Sequence, residues 1–251
     1  MVKILDCTLR DGGHLNNWDF SQNCILDTLS CAEKSNIDYF EIGYKLPEFV
    51  NSSTTKLVVM VDCKNIQPVS KFADCVRLAC YPEQIQTAIN AVENYKEQGF
   101  EVFLHLMTAD KFKDYEILKK WKNKNILTSI YFADSFGAFM PCDVEKIYKN
   151  LQNCGFEKIS FHAHNNLQQA LINTAKAIEL GAYSVDASVF GMGRGAGNLP
   201  IELLLKYLNK NNNEYLNLIE KYYLDFFEKY KWGYNYKSLT DGLRNIHPIN
   251  K

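Results

Sequence analysis

Residues 158–190 read KISFHAHNNLQQALINTAKAIELGAYSVDASVF and contain the alternation that decides the fold. The β-rich stretches 158–162 and 184–190 predict two strands, and the apolar spacing across 167–180 predicts a helix between them. Gly181 directly follows that helix, where a C-terminal cap favours a positive φ. A strand, a helix and a second strand in this order predict two parallel neighbouring strands.

The same alternation extends over most of the chain. We predict eight strands, at residues 4–8, 39–43, 57–61, 76–79, 102–107, 128–133, 158–162 and 184–190. Helical spacing is clearest at residues 20–34, 83–98, 115–122, 144–153, 167–180 and 201–208. Pro47 and Pro68 interrupt the connections after the second and third strands. Eight parallel strands in so short a chain favour an α/β fold closed into a (β/α)8 TIM barrel over an open sheet.

The pattern changes near residue 211, where a helical stretch rich in Tyr and Phe begins. A separate domain as small as this stretch would be only marginally stable. We therefore predict a barrel catalytic domain over residues 1–211 and a short C-terminal helical extension over residues 212–251, packed on the barrel or on a second subunit. Whether the protein forms a homo-oligomer is left open.

The composition excludes several classes of protein. Of the 251 residues, 47% are hydrophobic and 23% are charged, which allows a large core and argues against disorder. A net charge of −1 does not favour a nucleic-acid partner, and no apolar run is long enough for a membrane span. The N-terminal residues lack the features of a signal peptide, and the eight cysteines lack metal-binding spacing. We therefore expect a cytoplasmic protein with reduced thiols.

Two histidines predict a metal site. His162 and His164 are two residues apart on the seventh predicted strand, so both side chains point into the barrel. Two buried imidazoles are costly unless they are satisfied, and a metal ion would satisfy both. Asp11 follows the first strand at the same end of the barrel and would add an oxygen ligand. Such a site suits Mn²⁺, Mg²⁺, Co²⁺ or Zn²⁺. On these residues alone, two hydrogen-bonded core histidines remain an open alternative.

Three motifs carry a resemblance to a known family. LDCTLRDGGH at 5–14, FHAHNN at 161–166 and GMGRGAGNLPIE at 191–202 resemble the motifs of the DRE-TIM metallolyase superfamily. That group includes 4-hydroxy-2-oxovalerate aldolase, HMG-CoA lyase and the isopropylmalate and citramalate synthases. The resemblance spans the whole predicted barrel and implies a divalent metal cofactor, with Mn²⁺ preferred. It implies that the metal ligands are Asp11, His162, His164 and, as in the lyase branch, Asn198.

The resemblance also implies catalytic roles. Arg10 is similar in position to the arginine that steadies the enolate oxygen and contacts the substrate, and His14 to the base that takes the proton from the 4-hydroxyl group. Ser135 is similar to a serine that holds the substrate carboxylate. Glu41 is placed in the same substrate pocket, as a partner of Arg10 or of a ligand histidine. The synthases read RDGEQ where this chain reads RDGGH, which is the aldolase form.

These assignments predict a metal-dependent aldolase that cleaves or forms a 4-hydroxy-2-oxo acid from pyruvate, or a similar 2-oxo acid, and an aldehyde. The expected partners are small molecules, and the short tail gives no basis for the dehydrogenase partner of the larger aldolases. Two other classes stay open: a Claisen-type acyltransferase that condenses acetyl-CoA with a 2-oxo acid, and a non-catalytic barrel used as a partner module. Other lyase chemistry, such as decarboxylation, is a further option. Arg194 in the glycine-rich loop is either an anion contact or a solvated side chain.

Overall fold

Eight parallel strands form a closed barrel in the computed structural model, which describes residues 1–113 and 115–247. The strands are β1 (Lys3–Asp6), β2 (Tyr39–Gly43), β3 (Lys56–Asp62), β4 (Cys75–Cys80), β5 (Glu101–Leu106), β6 (Ser129–Asp134), β7 (Ile159–Ala163) and β8 (Ser184–Ala187). Each strand pairs in parallel with the next, and β8 pairs with β1 to close the ring. The eight predicted strands and the TIM barrel are confirmed.

Helices follow most of the strands. They are α1 (Thr8–Asn16), α2 (Gln22–Lys34), α3 (Ile85–Glu97), α4 (Glu116–Lys120), α5 (Pro141–Asn153), α6 (Ala170–Glu179) and α7 (Ile201–Tyr207). Single 3₁₀ turns lie at Pro82–Gln84, Ala109–Lys111, Lys124–Ile126 and Val189–Gly191. Residues 44–55 and 63–74, which follow β2 and β3, are all described and contain no helix, as the prolines there indicated. Gly181 follows α6 with a φ of 91°, as predicted.

Two strands end at least two residues earlier than the sequence predicted. β1 ends at Asp6, because the Asp6 carboxylate accepts hydrogen bonds from the backbone N–H of Thr8, at 2.8 Å, and from the Thr8 hydroxyl. Thr8, predicted as the last residue of the strand, instead begins α1. β8 ends at Ala187 and is followed by the turn Val189–Gly191. The polar residues of the first motif therefore lie on a helix and not in an open loop.

The inside of the barrel is layered along its axis. Towards the N-terminal ends of the strands it is filled by Leu5, Tyr39, Val58, Cys75, Phe103 and Tyr131. One pleat further along, the inward positions carry charged or imidazole side chains, all buried: Glu41, Arg77, His105, His162 and Asp186. Phe161 and Ala163, on the alternate positions of β7, belong to the apolar core outside the barrel. The polar layer thus lies towards the C-terminal mouth, where active sites of this fold form.

The chain continues after α7 as a series of helical segments packed on the barrel. These are α8 (Asn213–Leu218), a π-helical turn (Ile219–Tyr223), α9 (Leu224–Tyr230) and α10 (Tyr236–Leu243). The Tyr215 hydroxyl donates to Oδ2 of Asp6 at 2.9 Å, which ties this extension to β1. The division into two units at residue 211 stays a prediction. Within the described residues, no helix combines the length and apolar character needed to cross a membrane.

Candidate metal and substrate site

Asp11, His162 and His164 meet at the C-terminal mouth of the barrel. Oδ2 of Asp11 lies 3.4 Å from Nε2 of His162, which lies 3.3 Å from Nε2 of His164. All three side chains are buried. Ligand atoms held about 2.1 Å from one ion are themselves about 3 Å apart, so this spacing fits a shared cation.

The protonation states of Asp11 and His164 also fit a cation. Oδ2 of Asp11 is buried and, among residues 1–113 and 115–247, has no hydrogen-bond partner. Burial alone would raise the pKa of Asp11, but Arg10 and then His162 hold that pKa well below its usual range. Burial lowers the pKa of His164, so its ring is neutral and keeps a lone pair. An ionised carboxylate beside a neutral imidazole supplies donor atoms for a divalent cation.

Asp186, which the sequence reasoning missed, fixes the orientation of His162. Oδ2 of Asp186 lies 2.8 Å from Nδ1 of His162 and also pairs with Arg77. Burial alone would raise the pKa of Asp186, but Arg77 and then His162 bring it below the usual value. Because Asp186 is ionised, it accepts a hydrogen bond from Nδ1 of His162, and Nε2 is the ring atom that faces Asp11 and His164. A single charged residue within each of two short strands, CVRLAC and SVDA, was the available signal.

Cys7, His162 and Asp186 form a second group of possible ligands, which shares His162 with the first. The Cys7 thiol donates to the carbonyl oxygen of Ala187 at 3.3 Å. Burial, followed by the charge of Asp11, raises the pKa of Cys7 well above its ordinary value. Since a thiol must lose its proton to bind a metal, Cys7 is a poor ligand here. The set formed by Asp11, His162 and His164 is the better site.

Asn198 lies beside this set. Its backbone pairs with that of His164 in an antiparallel bridge. Its Nδ2 donates to the carbonyl oxygen of Met192 at 2.9 Å, while its Oδ1 is buried and unpartnered in the described part of the chain. An amide anchored through nitrogen with its oxygen free is suited to contact a metal or a substrate hydroxyl. Its role as a ligand stays a prediction.

Arg10 is held by carboxylates on two sides. Its Nε donates to Oε2 of Glu41 at 2.7 Å, and its Nη1 pairs with Asp11. Glu41 also accepts from Nη1 of Arg77 at 3.2 Å, so it joins two buried arginines and lies behind Arg10. Nη2 of Arg10 is buried and has no partner among the residues described. A fixed guanidinium with a free N–H group is suited to stabilise a developing oxyanion.

His105 and Arg77 complete the charged layer below the site. Nδ1 of His105 accepts from Nε of Arg77 at 3.2 Å, and its ring lies 5.5 Å from that of His162, edge to face. Burial and then Arg77 lower the pKa of His105 well below its ordinary value, so the ring is neutral. The Arg77 guanidinium also stacks on Tyr131 at 4.1 Å. These residues support His162 from beneath.

His14 is half-buried at the mouth, between two aromatic side chains. Its ring lies 4.9 Å from that of Trp18 and 6.1 Å from that of Tyr44. Burial, followed by the charge of Arg194, lowers the pKa of His14 to about 4. At neutral pH His14 is therefore an uncharged base, the state that proton abstraction requires.

Ser135 follows β6 at the same end of the barrel and is fully buried. Its Oγ accepts a hydrogen bond from the backbone N–H of Thr108 at 2.8 Å, which leaves the hydroxyl proton to donate. Asp134 before it accepts from the backbone N–H groups of Ala138 and Phe139, at 2.9 and 3.0 Å, and so shapes the loop. The contact of Ser135 with a substrate carboxylate stays a prediction.

Comparisons with known proteins identify related sequences. The sequence profile of a family described as HMGL-like matches residues 49–224. A 4-hydroxy-2-oxovalerate aldolase from Bacillus cereus is 27% identical over 238 residues, which cover 83% of this chain and 70% of that protein. An oxaloacetate decarboxylase from Mycobacterium tuberculosis is 24% identical over 237 residues, or 84% of this chain and 70% of that protein.

Solved structures with a similar fold are also found. The N-terminal domain of a Bacteroides vulgatus protein, provisionally assigned as an aldolase, superposes with a TM-score of 0.89 at 33% identity, over 98% of this chain and 94% of that one. An HMG-CoA lyase from Bacillus subtilis superposes with a TM-score of 0.73 at 15% identity, over 95% of this chain and 97% of that one. The second likeness concerns the fold alone.

Proposed function

Because the chain belongs to the HMGL-like family, we propose that it is a divalent-metal-dependent aldolase of 4-hydroxy-2-oxo acids. The predicted resemblance to the DRE-TIM metallolyases is confirmed, and the protein is an enzyme of the metal-dependent carbon–carbon lyases. The finer proposal is cleavage to, or synthesis from, pyruvate or a similar 2-oxo acid and an aldehyde.

One observation carries the proposal. Several buried polar atoms of the site have no hydrogen-bond partner among the described residues, and two of them are Nη2 of Arg10 and Oδ2 of Asp11. These two residues pair with each other, and the free Asp11 oxygen faces His162. Burying a polar atom without a hydrogen-bond partner costs free energy. The free acceptor of Asp11 and the free donor of Arg10 therefore support binding of two ligands, a cation at Asp11 and an oxyanion at Arg10.

The chain's own residues can then perform the cleavage. Asp11, His162 and His164 would hold a divalent cation, which would supply Lewis-acid polarisation of the 2-oxo group. His14 accepts the proton of the 4-hydroxyl, the bond between C3 and C4 breaks, and its electron pair enters the 2-oxo system as the aldehyde forms. Nη2 of Arg10 donates to the enolate oxygen that results. Uptake of a proton at C3 completes the 2-oxo acid, and aldol addition is the reverse.

The position of Trp18 argues against the Claisen alternative. A Cβ atom at Gly13 would lie 2.2 Å from Nε1 of Trp18, so the glutamate that the synthases carry at this position cannot be accommodated with Trp18 in place. His14 takes the next position, where the synthases have glutamine. The aromatic side chain and the histidine thus favour aldol over Claisen chemistry.

Decarboxylation of a 2-oxo acid with a second carboxylate is the second candidate. The M. tuberculosis relative named oxaloacetate decarboxylase supports it, because it is 24% identical to this chain over 84% of the chain's length. Loss of CO₂ from such an acid leaves the same enolate beside Arg10, but it has no hydroxyl proton to remove. It therefore gives His14 no role as a base.

Proton exchange tests the shared enolate step. Pyruvate is incubated in D₂O with metal-free or Mn²⁺-loaded protein, and deuterium in its methyl group is measured by mass spectrometry against a Mn²⁺ blank. We expect protein- and metal-dependent exchange that Asp11→Asn abolishes and that Asp225→Asn, which alters an exposed carboxylate, preserves. Absence of exchange in the loaded wild-type protein would contradict the proposal.

Two further additions separate the candidates. Release of CO₂ from oxaloacetate, undiminished by His14→Ala, would support the decarboxylase. Free thiol from acetyl-CoA with a 2-oxo acid would support the synthase.

Several finer assignments belong to the same proposal. Mn²⁺ is preferred, and Mg²⁺, Co²⁺ and Zn²⁺ suit the same donors. We propose that the substrates are small molecules and that the protein is cytoplasmic. We also keep the division into a catalytic barrel, residues 1–211, and an extension, residues 212–251. The contacts between Tyr215 and Asp6 support treating the extension as part of the barrel's own structure.

A further inference from the structure

Arg194 stands at the mouth of the barrel on a loop that is fixed from three sides. The backbone N–H of Asn198 donates to the carbonyl oxygen of Gly191 at 3.0 Å, across the base of the loop. Oδ1 of Asn166 accepts from the backbone N–H of Ala196 at 2.9 Å, and Gly233 of the extension donates to the carbonyl oxygen of Gly195 at 3.1 Å. A loop anchored in this way holds a long side chain near one place.

The guanidinium of Arg194 differs from the other two arginines of the site. Arg10 and Arg77 each pair with two carboxylates. Arg194 is half-buried, and within the described residues it forms no ion pair and its buried Nε has no hydrogen-bond partner. A partly desolvated cation without a counter-charge is costly, which points to a ligand that the protein itself does not supply.

Arg194 also lies on the side of the site where the aldehyde is handled. The loop that carries Arg194 packs on the segments that carry His14 and His164. A Cβ atom at Gly12, two residues before His14, would lie 2.7 Å from Sδ of Met192, and the backbone N–H of Asn165, next to His164, donates to the carbonyl oxygen of Gly197 at 2.9 Å. His14 is the group proposed to move the proton on the aldehyde oxygen, and His164 belongs to the cation site. The loop therefore places Arg194 on the side of the mouth where His14 and the cation site lie.

The charges of the site leave Arg194 unbalanced. Asp11, Glu41 and Asp186 oppose Arg10 and Arg77, so the buried cluster carries one net negative charge. A divalent cation reverses this to one net positive charge, and a singly charged 2-oxo acid neutralises it. The positive charge of Arg194 then remains for a second anion.

We propose that Arg194 binds an anionic group, carboxylate or phosphate, on the aldehyde, so that the enzyme selects anionic over neutral acceptors. This inference rests on the proposed aldolase function and adds the class of the aldehyde to it. The bond-forming step is the reverse of cleavage: C3 of the enolate attacks the aldehyde carbon, and His14 in its protonated form gives its proton to the aldehyde oxygen and returns to the neutral base. Arg194 binds the anionic group and does not itself donate or accept the transferred proton.

Matched aldehyde pairs test the inference. Addition of pyruvate is followed by product formation with succinic semialdehyde against butanal, and with glyceraldehyde 3-phosphate against glyceraldehyde. We expect the wild-type protein to favour at least one anionic partner in kcat/KM by tenfold or more. Arg194→Gln should lower kcat/KM for that aldehyde by about 10-fold to 100-fold, the loss typical of one charge-assisted hydrogen bond, mainly through KM. Neutral aldehydes should change by less than about threefold, and Arg194→Lys should restore part of the loss.

The control variant and a second readout make each outcome decisive. Lys158→Gln removes a positive charge just before β7, at the opposite end of the barrel, and should preserve the preference. Deuterium exchange into pyruvate, measured on the same samples, should be unaffected by Arg194→Gln. Exchange without a preference for anionic aldehydes, or an equal loss for charged and neutral aldehydes, overturns the role of Arg194 and leaves the aldolase proposal intact. Absence of exchange in the wild-type protein overturns the aldolase proposal itself. The carboxylate and phosphate pairs show which anion is bound.

Discussion

Nδ1 of His162 lies 2.8 Å from Oδ2 of Asp186 on the neighbouring strand, and this contact sets which ring nitrogen faces the metal site. Asp186→Asn keeps the size of the side chain but removes the charge that holds the proton on Nδ1. We expect Mn²⁺ affinity to fall by about 10-fold to 100-fold, the usual effect of losing a carboxylate behind a ligand histidine. Isothermal titration of the metal-free protein with Mn²⁺ measures the change.

The control for that experiment is Asp225→Asn, which removes an exposed carboxylate on α9 and should leave Mn²⁺ affinity unchanged. Circular dichroism establishes that the Asp186→Asn protein is folded, because the substitution also removes an ion pair from Arg77. If the folded variant bound Mn²⁺ as tightly as the wild type, Asp186 would have no part in the metal site.

The strands and the polar residues at their C-terminal ends could be predicted from the sequence. The strands follow from local hydrophobic patterns, and the position of the polar residues follows from the rule that active sites of parallel barrels lie at the C-terminal ends of the strands. The inward direction of His162 and His164 needed only their spacing of two. The buried ion pairs behind these histidines could not be predicted in this way. Arg77 and Asp186 meet across 109 positions of sequence, and only closure of the barrel brings them together.

The beginning of α1 shows a second limit of the sequence. Residues with high strand propensity continue through Thr8. The Asp6 carboxylate nevertheless accepts a hydrogen bond from the backbone N–H of Thr8, and the chain continues as a helix. Side chains that compete for backbone groups override local propensity in this way. The position of Trp18 over Gly13 was equally inaccessible, because it depends on a left-handed residue, Trp18 itself, with a φ of 58°.

Gly13 and Trp18 provide a prediction about stability. Gly13→Ala should destabilise the protein by about 1–3 kcal/mol, the usual range for overpacking, because the new methyl group meets the indole ring. In a Trp18→Ala background the same substitution should become neutral or stabilising, since alanine is the better helix former within α1. Urea unfolding of the four proteins of this double-mutant cycle gives the coupling energy. Equal effects of Gly13→Ala in both backgrounds would show that the indole does not restrict this position.

His14 provides a prediction about individual steps of the reaction. His14→Ala should leave deuterium exchange into pyruvate within about threefold of the wild type, because exchange involves no hydroxyl proton. Cleavage of a 4-hydroxy-2-oxo acid should fall by about 100-fold or more, as expected for loss of a general base. Both rates are measured on the same preparation, with Trp18→Ala as the control that disturbs the His14 environment without removing the imidazole. An equal loss of exchange and cleavage in His14→Ala would instead place His14 in the enolate step.

Asp6 provides a prediction about pH. Burial raises the pKa of Asp6 to about 6, although the hydrogen bonds from Thr8 and Tyr215 oppose this shift. Because the folded state holds this proton more tightly than the unfolded state, the stabilising contribution is full below the ordinary aspartate pKa and is lost as the pH rises through about 6. The free energy of unfolding of the wild type, minus that of Asp6→Asn, should therefore fall by about 2 kcal/mol between pH 4 and pH 7.

Urea unfolding across this pH range measures the difference, which cancels the titration of groups common to both proteins. Tyr215→Phe supplies the matched variant. The Tyr215 hydroxyl donates to the Asp6 carboxylate and lowers its pKa, so its removal should raise that pKa further and steepen the loss of stability towards pH 7. In the Asp6→Asn background the same Tyr215→Phe change should add no pH dependence. Parallel stability curves for the wild type and Asp6→Asn would mean that this carboxyl titrates alike in the folded and unfolded chains, and that the contact between β1 and the extension carries no proton linkage.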